Sequence, residues 1–265
     1  MTQNERVDYL VNKLNAETGK DFTIPEDREE KRQFLRALFN VRVPKPLPDD
    51  VMRVQDEYLQ ERRRALGDVS LSDIPEIRAG LSLWQGDITR LAVDAIVNAA
   101  NSQMLGCFIP LHNCIDNCIH TYAGAQLRID CYQQMLELRG KYGMFYEHPV
   151  AVPMMTDGYN LPAKKVIHVV GPQIQGKYGT ATPKMEQELA DCYRNTLDMC
   201  AENDLKSVAF CCISTGVYRF PKDKAAKIAV DTVTNWMQEN PGKIDRVIFN
   251  VFKDDDREIY EELLS

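Results

Sequence analysis

The chain has 265 residues, room for one α/β domain with an extension or for two small domains, and 44% of them are hydrophobic, enough for a real core. A formal net charge of -7 repels a phosphate backbone, so bulk nucleic acid is excluded as a partner; a single nucleotide is not, because main-chain N–H groups alone can hold phosphates. No stretch approaches the roughly 18 apolar residues of a membrane helix, and the polar start from Met1 to Asp8 has no apolar run behind it, so neither a membrane partner nor a secretory signal is expected.

Helical patterns come first. Val7, Leu10, Val11 and Leu14 fall at helical spacing, as do Phe34, Leu35, Leu38 and Phe39. Residues 41–48 hold three prolines and are expected to be extended. Asp49 or Asp50 then caps a third helix through Val51, Val54, Tyr58 and Leu59. Residues 1–72 thus read as a small helical extension, a docking or stabilising layer without chemistry of its own.

The pattern changes after residue 80. Strands are expected at 81–84, 94–98, 150–153, 165–170, 207–213 and 246–252, and helices at 114–138, 183–203, 221–239 and 255–264. Several strands are apolar nearly throughout, as when helices cover both faces of a sheet. The alternation predicts a three-layer α/β/α domain over residues 73–265, with no internal repeat. The eight cysteines are absent from the first hundred residues, and several lie in apolar runs. That is no disulfide framework; a reducing cytoplasm would keep them as free thiols or metal ligands.

Ligands of open α/β sheets bind beyond the carboxyl ends of the strands. Here those ends carry Gly86-Asp87-Ile88-Thr89, Asn98-Ala99-Ala100-Asn101, Gly171-Pro172 and Ser214-Thr215-Gly216-Val217-Tyr218. Each alone is an ordinary turn. Together they set small, backbone-exposing loops along one sheet edge.

With Val93-Asp94-Ala95-Ile96-Val97 before the Asn motif, and Arg219-Phe220-Pro221 after the Ser motif, these runs resemble the macrodomain family over about residues 80–265. The resemblance implies a central mixed sheet and a pocket for ADP-ribose. In it, Asp87 accepts the adenine amino group with the Ile88 N–H beside it, a carboxylate that rejects guanine. Ser214, Thr215, Gly216 and Val217 surround the diphosphate, Gly216 allowing close approach. Tyr218 walls the distal ribose, Asn101 orients it, and Pro221 opens a helix. Phe252 either flanks the adenine or is an ordinary core strand residue.

The chain departs from common macrodomains after Asn101. Where the hydrolytic branch has a run of glycines and then Val-Asp-Gly, this sequence reads Gly106-Cys107-Phe108-Ile109-Pro110-Leu111-His112-Asn113-Cys114-Ile115-Asp116. The spacing Cys-x4-His-x-Cys supplies two thiolates and an imidazole, which suit Zn²⁺, and three ligands leave a fourth position open. Cys107, His112 and Cys114 are therefore expected to hold one catalytic zinc per chain. The pattern, and the helical extension, also resemble the zinc-containing macrodomain subfamily of bacteria and fungi, whose genes often lie beside a sirtuin-type ADP-ribosyltransferase. Cys118, one turn after Cys114, is a candidate fourth ligand ranked below water. Asp116 aligns with the family's acidic residue and falls four residues after His112, so it would share a face with it if the helix has begun. Asp116 is expected to serve catalysis by positioning or deprotonating the attacking water, or by orienting a metal ligand, and Asn101 by fixing the sugar. His120 reads as a packing or hydrogen-bonding residue, His168 as a strand residue and His148 as a surface loop residue.

These expectations describe a zinc-dependent hydrolase that removes ADP-ribose from modified proteins, by analogy from an ester to Asp or Glu. Two rivals remain: a reader that binds ADP-ribose without cleaving, and a deacetylase of O-acetyl-ADP-ribose.

Overall fold

The computed structural model of the protein describes residues 1–176 and 179–265. Its contacts fall into two units: Met1–Gly67 with Leu105–Tyr146 and Gly158–Leu161, and Asp68–Met104 with Glu147–Asp157 and Pro162–Ser265.

The first unit is helical. Thr2 and Glu5 exchange hydrogen bonds that start α1 (Gln3–Thr18), and Gly19 ends it at φ 68. Asp27 starts α2 (Arg28–Val41) by accepting from the N–H groups of Glu29 and Glu30. Then α3 (Asp49–Leu66) follows the proline-rich segment, with Pro48 at its N-cap and no side-chain cap. Asp49 and Asp50 were expected to cap; they lie in the first turn instead, where their charge favours the helix dipole. The apolar faces of the three helices meet: Val7, Leu10, Val11 and Leu14 pack with Leu35, Leu38, Val51 and Val54, closed by Leu47. Each such side chain contributes roughly 1.5–3 kcal/mol by burial.

One continuous helix expected over 114–138 is in fact two, α4 (Ile115–Ala123) and α5 (Ala125–Tyr142). Gly124 between them sits at φ 100, and a Cβ there would lie 2.8 Å from Gln55 Nε2. Both helices group with α1–α3, so the contact grouping differs from a division at residue 72.

The second unit holds a short parallel pair, β1 (Val69–Ser70) and β3 (Leu91–Ala92), and a six-stranded sheet. Its strands are β2 (Leu81–Gln85), β4 (Ala95–Ala100), β5 (Met154–Asp157), β6 (Lys165–Val170), β7 (Ser207–Phe210) and β8 (Arg246–Val251), in the order β2-β8-β7-β4-β6-β5. All pairs are parallel except β5 with β6, so the sheet is mixed. The helices α6 (Pro183–Glu202), α7 (Lys222–Glu239) and α8 (Asp254–Leu264) pack in sequence against one another, and α6 and α8 also reach the sheet. The expected α/β architecture with N-terminal helices is thus present.

Two strand expectations change. Residues 150–153 form no strand: prolines flank Val150 and Val152, and Ala151 turns to φ 63, so only Val150 bridges to Val170 before β5 begins. The 207–213 strand stops at Phe210. It pairs with β4 at two positions only, Val208 with Ala95 and Ala209 with Ile96. Beyond them β4 and β7 no longer pair with each other, though each keeps its other neighbour. Their carboxyl ends are the starting points of the Asn101 turn and the 214–218 loop, on the two sides of the strand-order reversal where such sheets bind ligands.

His168 lies in β6, the strand position expected of it, and is wholly buried. Asn98 Nδ2 donates to His168 Nδ1 at 3.0 Å, so Nε2 carries the proton and donates to Thr156 Oγ1 at 3.0 Å. Burial, reinforced by nearby His148, pushes its pKa down to about 3 and keeps it neutral. His148 itself is buried, not on the surface, with Nε2 3.0 Å from the Val152 carbonyl.

Candidate nucleotide pocket and metal centre

The nucleotide-binding candidates belong to the sheet unit. After β2, Asp87 starts a single 3-10 turn, and its Oδ1 accepts from the Thr89 N–H at 3.0 Å and the Thr89 hydroxyl at 2.6 Å. That fixes the carboxylate, and Oδ2 takes no hydrogen bond among the described residues. The Ile88 side chain is core, 1% exposed, so only its main chain is available to a ligand. Asn250 Nδ2 donates to the carbonyls of Trp84 and Gly86, pinning the end of β2 to β8. Sequence reasoning missed Asn250; an Asn inside an otherwise apolar strand was the available signal.

Asn101 follows β4 directly. Its Oδ1 accepts from the Gln103 N–H at 3.0 Å and its carbonyl from the Met104 N–H at 2.9 Å, so the side chain is built into a turn. In the 214–218 loop, Ser214 adopts φ 67 and its carbonyl accepts from Phe220 N–H. Thr215 turns back onto the Cys212 carbonyl through both N–H and hydroxyl. Arg219 N–H closes on the Gly216 carbonyl, and Tyr218 accepts from Ile174 N–H. The N–H groups of Ser214, Gly216 and Val217 find no acceptor among the described residues, and the buried Ser214 hydroxyl has no partner. Consecutive free N–H groups beside a left-handed residue form a concavity suited to an anion. Nothing stands within 4 Å of a Cβ built on Gly216, so the loop's face is open. Behind it Gly171 is obligatory, because a Cβ there would lie 2.2 Å from Ser214 Oγ.

Val217 is 63% exposed and Phe252 75% exposed. Phe252 therefore is not a core strand residue; it lies one residue past β8, its ring free for an incoming flat group. Pro221 stands at the N-cap of α7, one residue earlier than its expected position.

The metal candidates belong to the helical unit. Ligand atoms of Cys107, His112 and Cys114 all lie within 4.8 Å of one another, with Cys107 Sγ 3.5 Å from His112 Nδ1. Each of the three is half-buried. Cys114 is the N-cap of α4 and accepts from the Asn117 N–H at 3.4 Å. Burial first, then the neighbouring Cys107 and Asp116, push its thiol up to about 12. Without a cation the Cys114 thiol is held in its neutral form, and a divalent ion reverses that preference. Three soft or borderline donors at this separation fit zinc with an open fourth position. Cys118 does not join them; its sulfur lies 3.8 Å from Arg36 Nη2.

Since α4 begins at Ile115, His112 is not on it, and the expected shared face of His112 and Asp116 does not arise. Asp116 instead pairs within the helix: Oδ1 lies 3.5 Å from His120 Nε2, both side chains being almost fully buried. Gly106, at φ 83, clears space for that imidazole, which a Cβ would approach to 2.8 Å. Leu111 sits at φ 58, where a side chain costs about 1–2 kcal/mol. Sequence reading did not find the groups that support this loop. Arg36, Asn40 and Asn117 do so, and the first two come from a helix some seventy residues earlier.

The Macro domain family matches residues 97–229. A protein named protein-ADP-ribose hydrolase from Treponema medium is 45% identical over the whole of both chains. One of the same name from Staphylococcus aureus strain MSSA476 is 42% identical over 98% of this chain and 95% of its own. A Fusarium oxysporum protein named probable bifunctional ADP-ribose hydrolase/ADP-ribosyltransferase is 41% identical over 97% of this chain, which matches 45% of that longer protein. Among solved structures, the Trypanosoma brucei macrodomain in complex with ADP-ribose superposes with a TM-score of 0.65 at 27% identity, covering 86% of this chain and 95% of that one. The Oceanobacillus iheyensis macrodomain with ADP gives 0.60 at 36% identity, over 72% and 93%.

Proposed function

This chain belongs to the Macro domain family, and from that premise we propose that it is a protein-ADP-ribose hydrolase using one zinc ion held by Cys107, His112 and Cys114. The observation that carries the zinc reading is the convergence of those three ligand atoms within 4.8 Å. Residues 73–265 are assigned to the macrodomain and 1–72 to its extension.

ADP-ribose binding falls to the sheet unit. Asp87 offers Oδ2 to the adenine amino group, with the Ile88 N–H beside it, and Phe252 covers the base. The loop of Ser214, Thr215, Gly216 and Val217 surrounds the diphosphate. Its free N–H groups and the unpartnered Ser214 hydroxyl support that role. Tyr218 and Asn101 hold the distal ribose, since correct placement of the sugar supplies much of the rate.

A zinc ion bound by the triple supplies Lewis acidity at neutral pH. Asp116 Oδ1 receives the proton of the attacking water, and His120 shares it. The water oxygen joins the anomeric carbon of the distal ribose as its bond to the protein carboxylate breaks. The products are free ADP-ribose and the restored Asp or Glu. A pure reader has no use for the thiol–imidazole triple. The name of the Fusarium relative supports pairing with an ADP-ribosyltransferase, of sirtuin type by resemblance. No helix among the described residues is long and apolar enough to cross a membrane. Zinc-binding thiols suit a reducing compartment, and we assign the protein to the cytoplasm.

The test is release of ADP-ribose from proteins modified on Asp or Glu, compared with Ser-modified protein and with O-acetyl-ADP-ribose. Cleavage of the acyl ester alone is expected. Preference for the serine linkage would reassign the bond, and no cleavage of any substrate would leave a reader.

A further inference from the structure

The triple is held in shape by three side chains that touch no ligand atom of its own three residues except through the main chain. Arg36, on α2, donates from Nη2 to the His112 carbonyl at 2.9 Å, and from both Nη1 and Nη2 to Asn113 Oδ1 at 3.3 Å. The same Nη2 lies 3.2 Å from Asn117 Oδ1. Asn117, thus oriented, donates from Nδ2 to the carbonyls of Cys107 at 3.2 Å and Ile109 at 3.0 Å, and its N–H reaches Cys114 Sγ. Asn40, one turn after Arg36 on α2, accepts the N–H of left-handed Leu111 at 2.9 Å. Its Nδ2 donates to Thr121 Oγ1, which in turn donates to the Asn117 carbonyl. Every residue of the triple is therefore tied into one network, and α2 supplies its anchor.

We propose that Arg36 is a positioning residue for the metal loop: its planar fork fixes the His112 main chain and Asn117 together, so the helical extension is a working part of the metal centre and not only a docking layer. This inference rests on the zinc reading above. A guanidinium is needed because one planar group must satisfy divergent acceptors at once, which a lysine ammonium on a mobile stem cannot reproduce. Groups that orient metal ligands typically change metal affinity 10–100-fold when removed.

The experiment titrates metal-stripped full-length wild type, Arg36→Ala and Arg36→Lys with Co²⁺ in competition with a chelator, reading the thiolate-to-cobalt charge-transfer band and the visible bands of a tetrahedral site. ADP-ribose affinity is measured by calorimetry on the same samples. Arg36→Ala is expected to bind Co²⁺ about 10–100-fold more weakly with altered visible bands, while its ADP-ribose affinity stays within about twofold. Arg36→Lys recovers only part of the loss, and it carries the test alone if Arg36→Ala does not fold. Wild-type affinity and spectrum in either variant would overturn the inference while leaving the zinc reading intact. Equal loss of ADP-ribose affinity in Arg36→Ala would also overturn it, marking general damage. Wild type without cobalt–thiolate bands would remove the zinc reading and this inference with it.

Discussion

The 214–218 loop and the 107–114 loop differ in what they offer a ligand. The first offers main chain: N–H groups of Ser214, Gly216 and Val217, shaped by one left-handed serine and by bonds within the loop itself. The second offers side chains, two thiols and an imidazole, and its shape is imposed from outside by Arg36, Asn40 and Asn117. A main-chain site needs small neighbours and little else. A side-chain site depends on the charge state of its groups, and burial pushes the Cys114 thiol toward its neutral form until a cation offsets that cost. Binding and chemistry should therefore be separable by mutation.

The strongest break of that separation lies in the triple. Cys107→Ala, His112→Ala and Cys114→Ala should each lower ADP-ribose release about a thousandfold or more, because a metal centre contributes several kcal/mol to the barrier. Calorimetry should find ADP-ribose affinity almost unchanged in all three. A parallel loss of affinity would show that the two loops are not independent.

A comparable free energy is expected from His168, in the sheet unit only. Its folded pKa, about 3, lies below the value near 6.5 expected when unfolded. The neutral imidazole therefore contributes stability that is fully present above about pH 6.5 and is lost as pH falls from there toward 3. Urea unfolding of wild type should lose several kcal/mol over that window beyond the loss in His168→Gln. Parallel pH profiles for the two proteins would contradict the assignment.

Next comes Gly171→Ala, whose Cβ would meet Ser214 Oγ. Displacing the 214–218 loop should lower ADP-ribose affinity about 10–100-fold, on the order of 1.4–2.8 kcal/mol, with zinc content unaltered by metal analysis. Loss of zinc in this variant would erase the contrast between the loops. The smallest effect is expected from Phe252→Ala: a severalfold weaker affinity, about 0.5–1.5 kcal/mol for a lost aromatic stack, and no change in melting temperature. A core phenylalanine would instead cost about 3–5 kcal/mol of stability, so a destabilised variant would restore the strand reading that its exposure excludes.

What was legible in the sequence follows the same contrast. Alternating apolar runs announced the sheet, and β6 fell on its expected bounds because Lys165–Val170 is apolar almost throughout and buried on both faces. The small residues after β2, β4 and β7 marked the loops with open main chain, since such loops are written in glycine, serine and asparagine. Cys107, His112 and Cys114 announced themselves by residue type and spacing. The breaks were harder to see: Gly124 ends α4 inside a continuous helical pattern, and Ala151 turns to φ 63 although an alanine gives no signal for it. Least legible was the support of the metal loop. Arg36 and Asn40 sit on the polar face of a charged helix, and only the fold brings them against His112 and Leu111. Asn117 looked like any polar residue in a helix's first turn.

The most direct measurement is ADP-ribose release from an Asp- or Glu-modified protein by metal-stripped enzyme, before and after one equivalent of zinc. Stripped protein should bind ADP-ribose yet release none from the substrate, and zinc should restore turnover in wild type but not in Cys114→Ala. Full turnover by protein with no measurable zinc would contradict the account.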